Sequence, residues 1–200
     1  MGGSAGRQPI VFVVSGLPRS GTSMMMRMLA EGGAPILADA TRRPDADNPR
    51  GYYELEAVKR TARDASWVAD APGRVVKVIS SLLPHLPTEW TYRVLFMRRS
   101  IDQVVRSQRA MLDRLETTPA SEDEVAARQA LALHLVDLES WLETARHIHL
   151  LGISYERVLA TPVREIDRIC RFLELDLDAA AMQRAVEPAL QRQKIHGEST

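Results

Sequence analysis

The chain contains little cysteine, with Cys170 the single example in 200 residues. One thiol excludes an internal disulfide, supplies no cysteine cluster for a metal, and is typical of proteins from a reducing compartment. Cys170 shares the helical spacing of Ile166, Ile169 and Leu173, which predicts a buried side chain rather than a reactive one. We therefore expect no metal centre.

The chain also lacks net charge and long apolar runs. Lys plus Arg and Asp plus Glu both number 26, so no global basic field favours nucleic acid or an anionic membrane, and any anion must be bound locally. The apolar run at residues 10–14 is too short for a signal peptide or a membrane span. We expect one cytoplasmic domain over residues 1–200, with no nucleic-acid or membrane partner; the oligomeric state stays open.

Short apolar runs alternate with helical patterns along the whole chain. Four runs rich in Val, Ile and Leu predict buried parallel strands at 10–14, 74–79, 92–97 and 147–153. Spacing and capping residues predict helices near 21–32, 53–67, 100–115, 122–146, 162–174 and 178–186. The sequence therefore predicts an α/β fold of three αβα layers, P-loop-like, around a mostly parallel sheet of four to five strands.

A glycine-bracketed turn follows the first predicted strand and leads into the first predicted helix. Backbone N–H groups in such a turn point at an anion, and the helix dipole adds partial positive charge. Gly16 and Gly21 allow the close approach. The candidate phosphate-binding residues are Pro18, Arg19, Ser20, Gly21, Thr22 and Ser23.

Two features of nucleotide triphosphatases are missing around this turn. In the pattern G-x-x-x-x-G-K-[ST], Thr22 stands where the lysine belongs, and Arg19 is the nearest replacement cation. Enzymes of that type usually hold Mg²⁺ through an Asp at a strand end, whereas these strands end in Ser15, Ser80, Arg98-Arg99 and Ser154. Phosphoryl transfer from Mg-ATP is therefore disfavoured.

The run from Pro18 to Ser23 resembles the 5′-phosphosulfate loop of sulfotransferases that use 3′-phosphoadenylyl sulfate (PAPS). The resemblance implies that Arg99 at a strand end, with Ser107 eight positions later, binds the donor's 3′-phosphate; Arg98 is the competing candidate. It extends to the segments 48–54 and 93–112 and to the pair Tyr155-Glu156. The chain departs from the family in having Ser100-Ile101 where many members have Asp-Pro.

The resemblance implies sulfuryl transfer from PAPS to a hydroxyl or amine, with PAP as the product and no metal. Arg19 and Lys77 then supply charge at the leaving phosphate. The general base is the open question. Glu54, expected at a helix start, is the first candidate, with Glu56 and His85 as the others, because the Lys-x-His arrangement of cytosolic members is missing after Lys77.

Two other functions remain open at this point. One is an atypical P-loop kinase or NTPase, and the other is a non-catalytic nucleotide-binding protein that kept the fold. The acceptor, a small molecule, a glycan or a peptide, is not identified by the sequence, because acceptor pockets are built from loops. Two irregular segments, 39–51 and 116–120, are candidates for such loops.

Overall fold

Four parallel strands form the centre of the molecule. The computed structural model describes residues 10–39, 53–114 and 124–186. Within these ranges one sheet has the strand order β2-β1-β3-β4, with every neighbouring pair parallel. Its strands are β1 (Ile10–Gly16), β2 (Val75–Lys77), β3 (Thr91–Arg98) and β4 (Ile148–Ser154). The predicted α/β class and the parallel sheet are confirmed.

Helices cover both faces of this sheet and bury most residues of β1, β2 and β3. They are α1 (Thr22–Glu31), α2 (Ile101–Arg114), α3 (Glu124–Leu142), α4 (Tyr155–Ala160), α5 (Pro162–Leu173) and α6 (Ala179–Ala185). None of the helices in the described ranges has the length and apolar character needed to cross a bilayer.

Alternate residues of β1 separate two hydrophobic cores. Phe12 and Val14 face a core that includes Met25 of α1 and residues of α5 and α6. Val11 and Val13 face a second core that includes Leu138 of α3 and the short helical segments after residue 53. This alternation is the period of two of a strand that is covered on both faces. The three-layer arrangement follows from it.

The helix predicted at 53–67 is wrong. The structure has two 3₁₀ helices instead, Glu56–Arg60 and Ser66–Asp70. Side chains between them bind the backbone in ways that compete with an α-helix: the Thr61 hydroxyl donates to the Val58 carbonyl at 2.6 Å, and the Ser66 N–H donates to the Asp64 carboxylate at 3.0 Å. Trp67 then donates its indole N–H to Thr61 and closes the turn.

Element ends differ from the prediction in two places that matter for the site. The strand expected at 74–79 is paired only from Val75 to Lys77, and a 3₁₀ helix, Ser80–His85, follows it. After β4, the chain enters the unpredicted helix α4 at Tyr155, with the Ser154 hydroxyl accepting from the Arg157 N–H. Tyr155 is thereby placed at the carboxyl edge of the sheet, where the ends of all four parallel strands meet.

Candidate functional site

The turn between β1 and α1 has the backbone shape expected of an anion-binding loop. Gly16, Arg19 and Gly21 all have positive φ, at 146°, 71° and 102°. The Ser20 N–H donates to the Leu17 carbonyl at 3.1 Å, which closes the turn. Gly21 is the N-cap of α1 and has no side chain that could occupy this position. The first turn of α1, all of which the structure describes, carries no acidic residue. The N-terminus of α1 is therefore suited to an anion.

Gly16→Ala is expected to destabilise the fold by about 1–3 kcal/mol, the usual cost of forcing an added methyl group into a packed site. An added Cβ would lie 2.7 Å from the Met97 carbonyl oxygen, part of a central strand that has little freedom to shift. The measurement is the urea midpoint of unfolding. Gly33→Ala is the matched control, since Gly33 also has positive φ but has no atom within 4 Å of the added Cβ. Equal losses in the two variants would contradict the steric argument.

Arg19 joins the loop to helix α2. Its guanidinium Nε donates to the Ser107 hydroxyl at 3.1 Å, across 88 positions of sequence. Ser107 is buried, with 2% of its surface exposed. The Gln108 side-chain amide donates to the Pro18 carbonyl at 3.4 Å, one position from this contact. Two predicted phosphate ligands, Arg19 and Ser107, thus lie side by side.

Arg99 lies on the other side of the same loop. Its Nη1 donates to the Arg19 carbonyl and its Nε donates to the Gln103 side chain, both at 3.0 Å. Burial is the main cause that lowers the pKa of Arg99, and the positive charges of Arg19 and Arg106 lower it further. The positive charges of Arg19 and Arg106 thus lie close enough to act on Arg99, which favours an anion at this edge of the sheet.

Arg98, the competing candidate, points away from the loop. Its guanidinium is more than half exposed and lies 3.4 Å from the Glu139 carboxylate of α3. The Arg99 side chain, one residue beyond the end of β3, donates to the loop, whereas the Arg98 side chain donates to α3. The structure brings Arg99 to the candidate site and leaves Arg98 outside it.

Lys77, at the end of β2, forms a second cluster of polar side chains with Glu54 and Ser23. Its ammonium lies 3.3 Å from the Glu54 carboxylate and 3.4 Å from the Ser23 hydroxyl. The Lys77 side chain is only 8% exposed, whereas that of Glu54 is 26% exposed. Because the charge of Lys77 is largely removed from water, its partners Glu54 and Ser23 hold the ammonium in place beside the first turn of α1.

Comparison with known families matches residues 52–179, more than half of the chain, to the model described as "Sulfotransferase family". The chain belongs to the sulfotransferase family. The predicted phosphate loop at residues 15–23 lies before the matched range, so this prediction rests on the sequence pattern and the backbone geometry. No curated protein gives a significant match.

Solved structures with the same fold are also sulfotransferases. The sulfotransferase domain of the curacin biosynthetic pathway is 15% identical, with a TM-score of 0.51, over 90% of this chain and 79% of that one. The domain of the Synechococcus PCC 7002 olefin synthase is 17% identical, with a TM-score of 0.51, over 94% and 85%. Mouse sulfotransferase SULT7A1, complexed with PAP, is 20% identical, with a TM-score of 0.51, over 90% and 63%. At these identities the likeness shows the fold.

Of the three candidate bases in this sulfotransferase, only Glu54 contacts the predicted site residues. It lies outside any helix, two residues before the first 3₁₀ helix, so the expected helix start at Glu54 is wrong and the helix dipole does not account for its position. Glu56 is exposed and pairs with Lys59 at 2.7 Å. His85 is exposed at the end of the 3₁₀ helix that follows β2.

Two contacts in this sulfotransferase have no signal in the linear sequence. The sequence pattern singled out Tyr155 only as part of the pair Tyr155-Glu156. In the structure the guanidinium of Arg99 lies over its ring, with Cζ 4.5 Å from the ring centroid. Ser80, buried just past β2, is 2.8 Å from His134 Nε2 of α3. Both pairs join residues more than 50 positions apart, so only the packing of the helices on the sheet creates them.

The described residues contain no group of three or more His, Cys, Asp or Glu side chains that could hold a metal ion. Cys170 is half-buried, and burial, with the charge of Asp167, raises the pKa of its thiol. A thiol with a raised pKa carries little nucleophilic thiolate. Most of the irregular segment 39–51 and all of 116–120 lie outside the described residues.

Proposed function

We propose that this sulfotransferase takes its sulfuryl group from PAPS and transfers it to a hydroxyl or amine of a small-molecule, glycan or peptide acceptor. One observation carries the proposal: Arg99 and Ser107 converge on Arg19 of the phosphate loop. Two anchors at one strand edge suit a nucleotide with phosphates on both ends of its ribose. The PAP complex of mouse SULT7A1, which shares the fold, supports this choice of donor.

The 5′-phosphosulfate is assigned to the loop. The backbone N–H groups of Arg19, Gly21, Thr22 and Ser23, at the N-terminus of α1, would bind its oxygens, and the Arg19 guanidinium would add a forked charge. Lys77, held beside Ser23, would stabilise the bridging oxygen as negative charge develops there. The 3′-phosphate is assigned to Arg99 and Ser107.

The chemistry is one in-line displacement at sulfur. The acceptor oxygen or nitrogen forms a bond to sulfur while the bond from sulfur to the phosphate oxygen breaks, and PAP leaves with that electron pair. The acceptor proton passes to Glu54, which is the proposed base because its carboxylate lies 3.3 Å from Lys77 at the same strand end. The ion pair between Glu54 and Lys77 then positions both the base and the cation at the leaving group.

The phosphoryl-transfer alternative has a weaker basis in the same site. Thr22 occupies the lysine position of the triphosphatase loop, and the strand ends in the described residues provide no carboxylate for Mg²⁺ next to the loop.

We also propose a cytoplasmic location, since a single thiol fits a reducing compartment.

Thermal stabilisation by ligands tests the proposed donor. PAP is expected to raise the melting temperature of the wild-type chain more than Mg-ATP at equal concentration, because a ligand stabilises the state that binds it. Arg19→Ala and Arg99→Ala should lose most of this shift. Arg98→Ala removes an equal charge one residue away and should keep it. A larger shift with Mg-ATP would overturn the proposal; a PAP shift without sulfuryl transfer to any of a broad panel of phenols, alcohols and amines would indicate a non-catalytic binder.

A further inference from the structure

Arg99 is attached to the phosphate loop by hydrogen bonds of its guanidinium. Its Nη1 donates to the backbone carbonyl of Arg19, and its Nε is oriented by Gln103 one turn along α2. The side chain is therefore fixed at both ends of its guanidinium. A residue whose purpose was confined to the 3′-phosphate would have no need of a bond to the loop on the 5′ side.

The bonded carbonyl belongs to the most unusual backbone position of the loop. Arg19 has φ of 71°, in the left-handed region that side chains other than glycine seldom adopt. Such a conformation persists only when surrounding contacts hold it. The hydrogen bond from Arg99 is one such contact, and it acts on the residue whose guanidinium is assigned to the phosphosulfate.

Tyr155 packs against both the loop and Arg99. A Cβ on Gly21 would lie 2.5 Å from Tyr155 Cδ2, so the ring packs directly against the loop. The guanidinium of Arg99 lies over the same ring, where the π face attracts a cation. The Tyr155 side chain is buried, and burial is the main cause that raises its pKa and keeps it neutral. One ring therefore contacts both the loop and Arg99.

We infer that Arg99 and Tyr155 are positioning residues for the 5′-phosphosulfate loop, in addition to the 3′-phosphate role that Arg99 has in the proposed function, on which this inference rests. Arg99 holds the Arg19 carbonyl, and Tyr155 holds Arg99 and Gly21. The two phosphate sites are consequently coupled, since the side chain that binds one maintains the backbone that binds the other. Coupling between sites is reciprocal in free energy.

Two mononucleotides separate this coupling from independent sites. The probes are adenosine 5′-monophosphate (5′-AMP), which lacks the 3′-phosphate, and adenosine 3′-monophosphate (3′-AMP), each titrated directly into the protein by calorimetry. If the sites are coupled, Arg99→Ala should weaken 5′-AMP by about five- to tenfold, a coupling of ordinary size, although this ligand has no group for Arg99 to bind. Arg98→Ala is the matched control and should leave both affinities unchanged.

Variants of Tyr155 test the platform separately. Tyr155→Phe keeps the ring and should retain wild-type affinity for 5′-AMP, whereas Tyr155→Leu removes the π face and should weaken 5′-AMP and 3′-AMP together. Melting temperatures of the ligand-free variants show whether each has folded, and the rescue by Phe distinguishes positioning from general destabilisation. Unchanged affinity of the folded Leu variant for both nucleotides would overturn the positioning role of Tyr155, as would a loss in Tyr155→Phe equal to that in Tyr155→Leu.

The outcomes distinguish the inference from the function beneath it. A wild-type chain that fails to bind PAP overturns the proposed function itself. A wild-type chain that binds PAP, with 5′-AMP affinity unchanged in Arg99→Ala, overturns only the coupling. Equal weakening of 5′-AMP by Arg98→Ala and Arg99→Ala would also overturn it, because a general loss of positive charge would then explain the effect.

Discussion

Arg19→Ala is expected to lower kcat/KM for PAPS by about 100- to 1,000-fold, the usual effect of removing one preorganised charge stabiliser from a transition state. The guanidinium occupies the turn itself, beside Ser107, where the leaving phosphate gains negative charge. Arg19→Lys keeps the charge but loses the forked geometry, so an intermediate loss is expected. The measurement is initial rate against PAPS concentration with any acceptor that the panel identifies.

The backbone of Arg19 requires a second variant to separate charge from strain. Alanine at a φ of 71° is strained, whereas glycine accepts this conformation freely. Arg19→Gly should therefore lose as much activity as Arg19→Ala. Its midpoint of urea unfolding should be equal to or higher than that of Arg19→Ala. Arg98→Ala serves as the charge control. Wild-type turnover in Arg19→Gly would exclude a role for the guanidinium in sulfuryl transfer.

Glu54→Gln is expected to lower kcat by about 100- to 10,000-fold, the range for loss of a general base. The amide oxygen can still accept from Lys77, so the buried ammonium keeps a partner and the fold should be retained. PAP affinity should stay close to that of the wild type, because the proton is transferred at the acceptor and not at the nucleotide. The decisive measurement is single-turnover sulfuryl transfer with PAPS bound in advance.

Two variants discriminate among the candidate bases. Glu56→Gln and His85→Gln change exposed side chains that make no contact with Lys77 or Ser23 in the described residues, and both should keep kcat within about twofold, as surface substitutions usually do. If His85→Gln were the variant that lost turnover, the base would belong to the segment after β2. A loss in none of the three would place the base elsewhere.

Much of the fold could be predicted because its signals are local. Apolar runs of strand length that alternate with helical spacing specify a parallel sheet, and the β1 turn and the start of α1 are contiguous in sequence, so the phosphate loop was recognisable from nine adjacent residues. The helix expected at 53–67 failed for an equally local reason, since the side chains of Thr61 and Asp64 bind the backbone and favour short turns. That competition is not visible in hydrophobic spacing.

The linear chain by itself determined the sheet, the loop and the residue types of the site, because strand patterns and a glycine-bracketed turn are properties of neighbouring residues. Only the tertiary structure brought Arg99 rather than Arg98 to the loop, paired Lys77 with Glu54, and placed Tyr155 between Gly21 and Arg99. The physical reason is common to all three. Each contact joins segments separated by more than 20 positions, and their meeting depends on how helices pack against the carboxyl edge of the sheet.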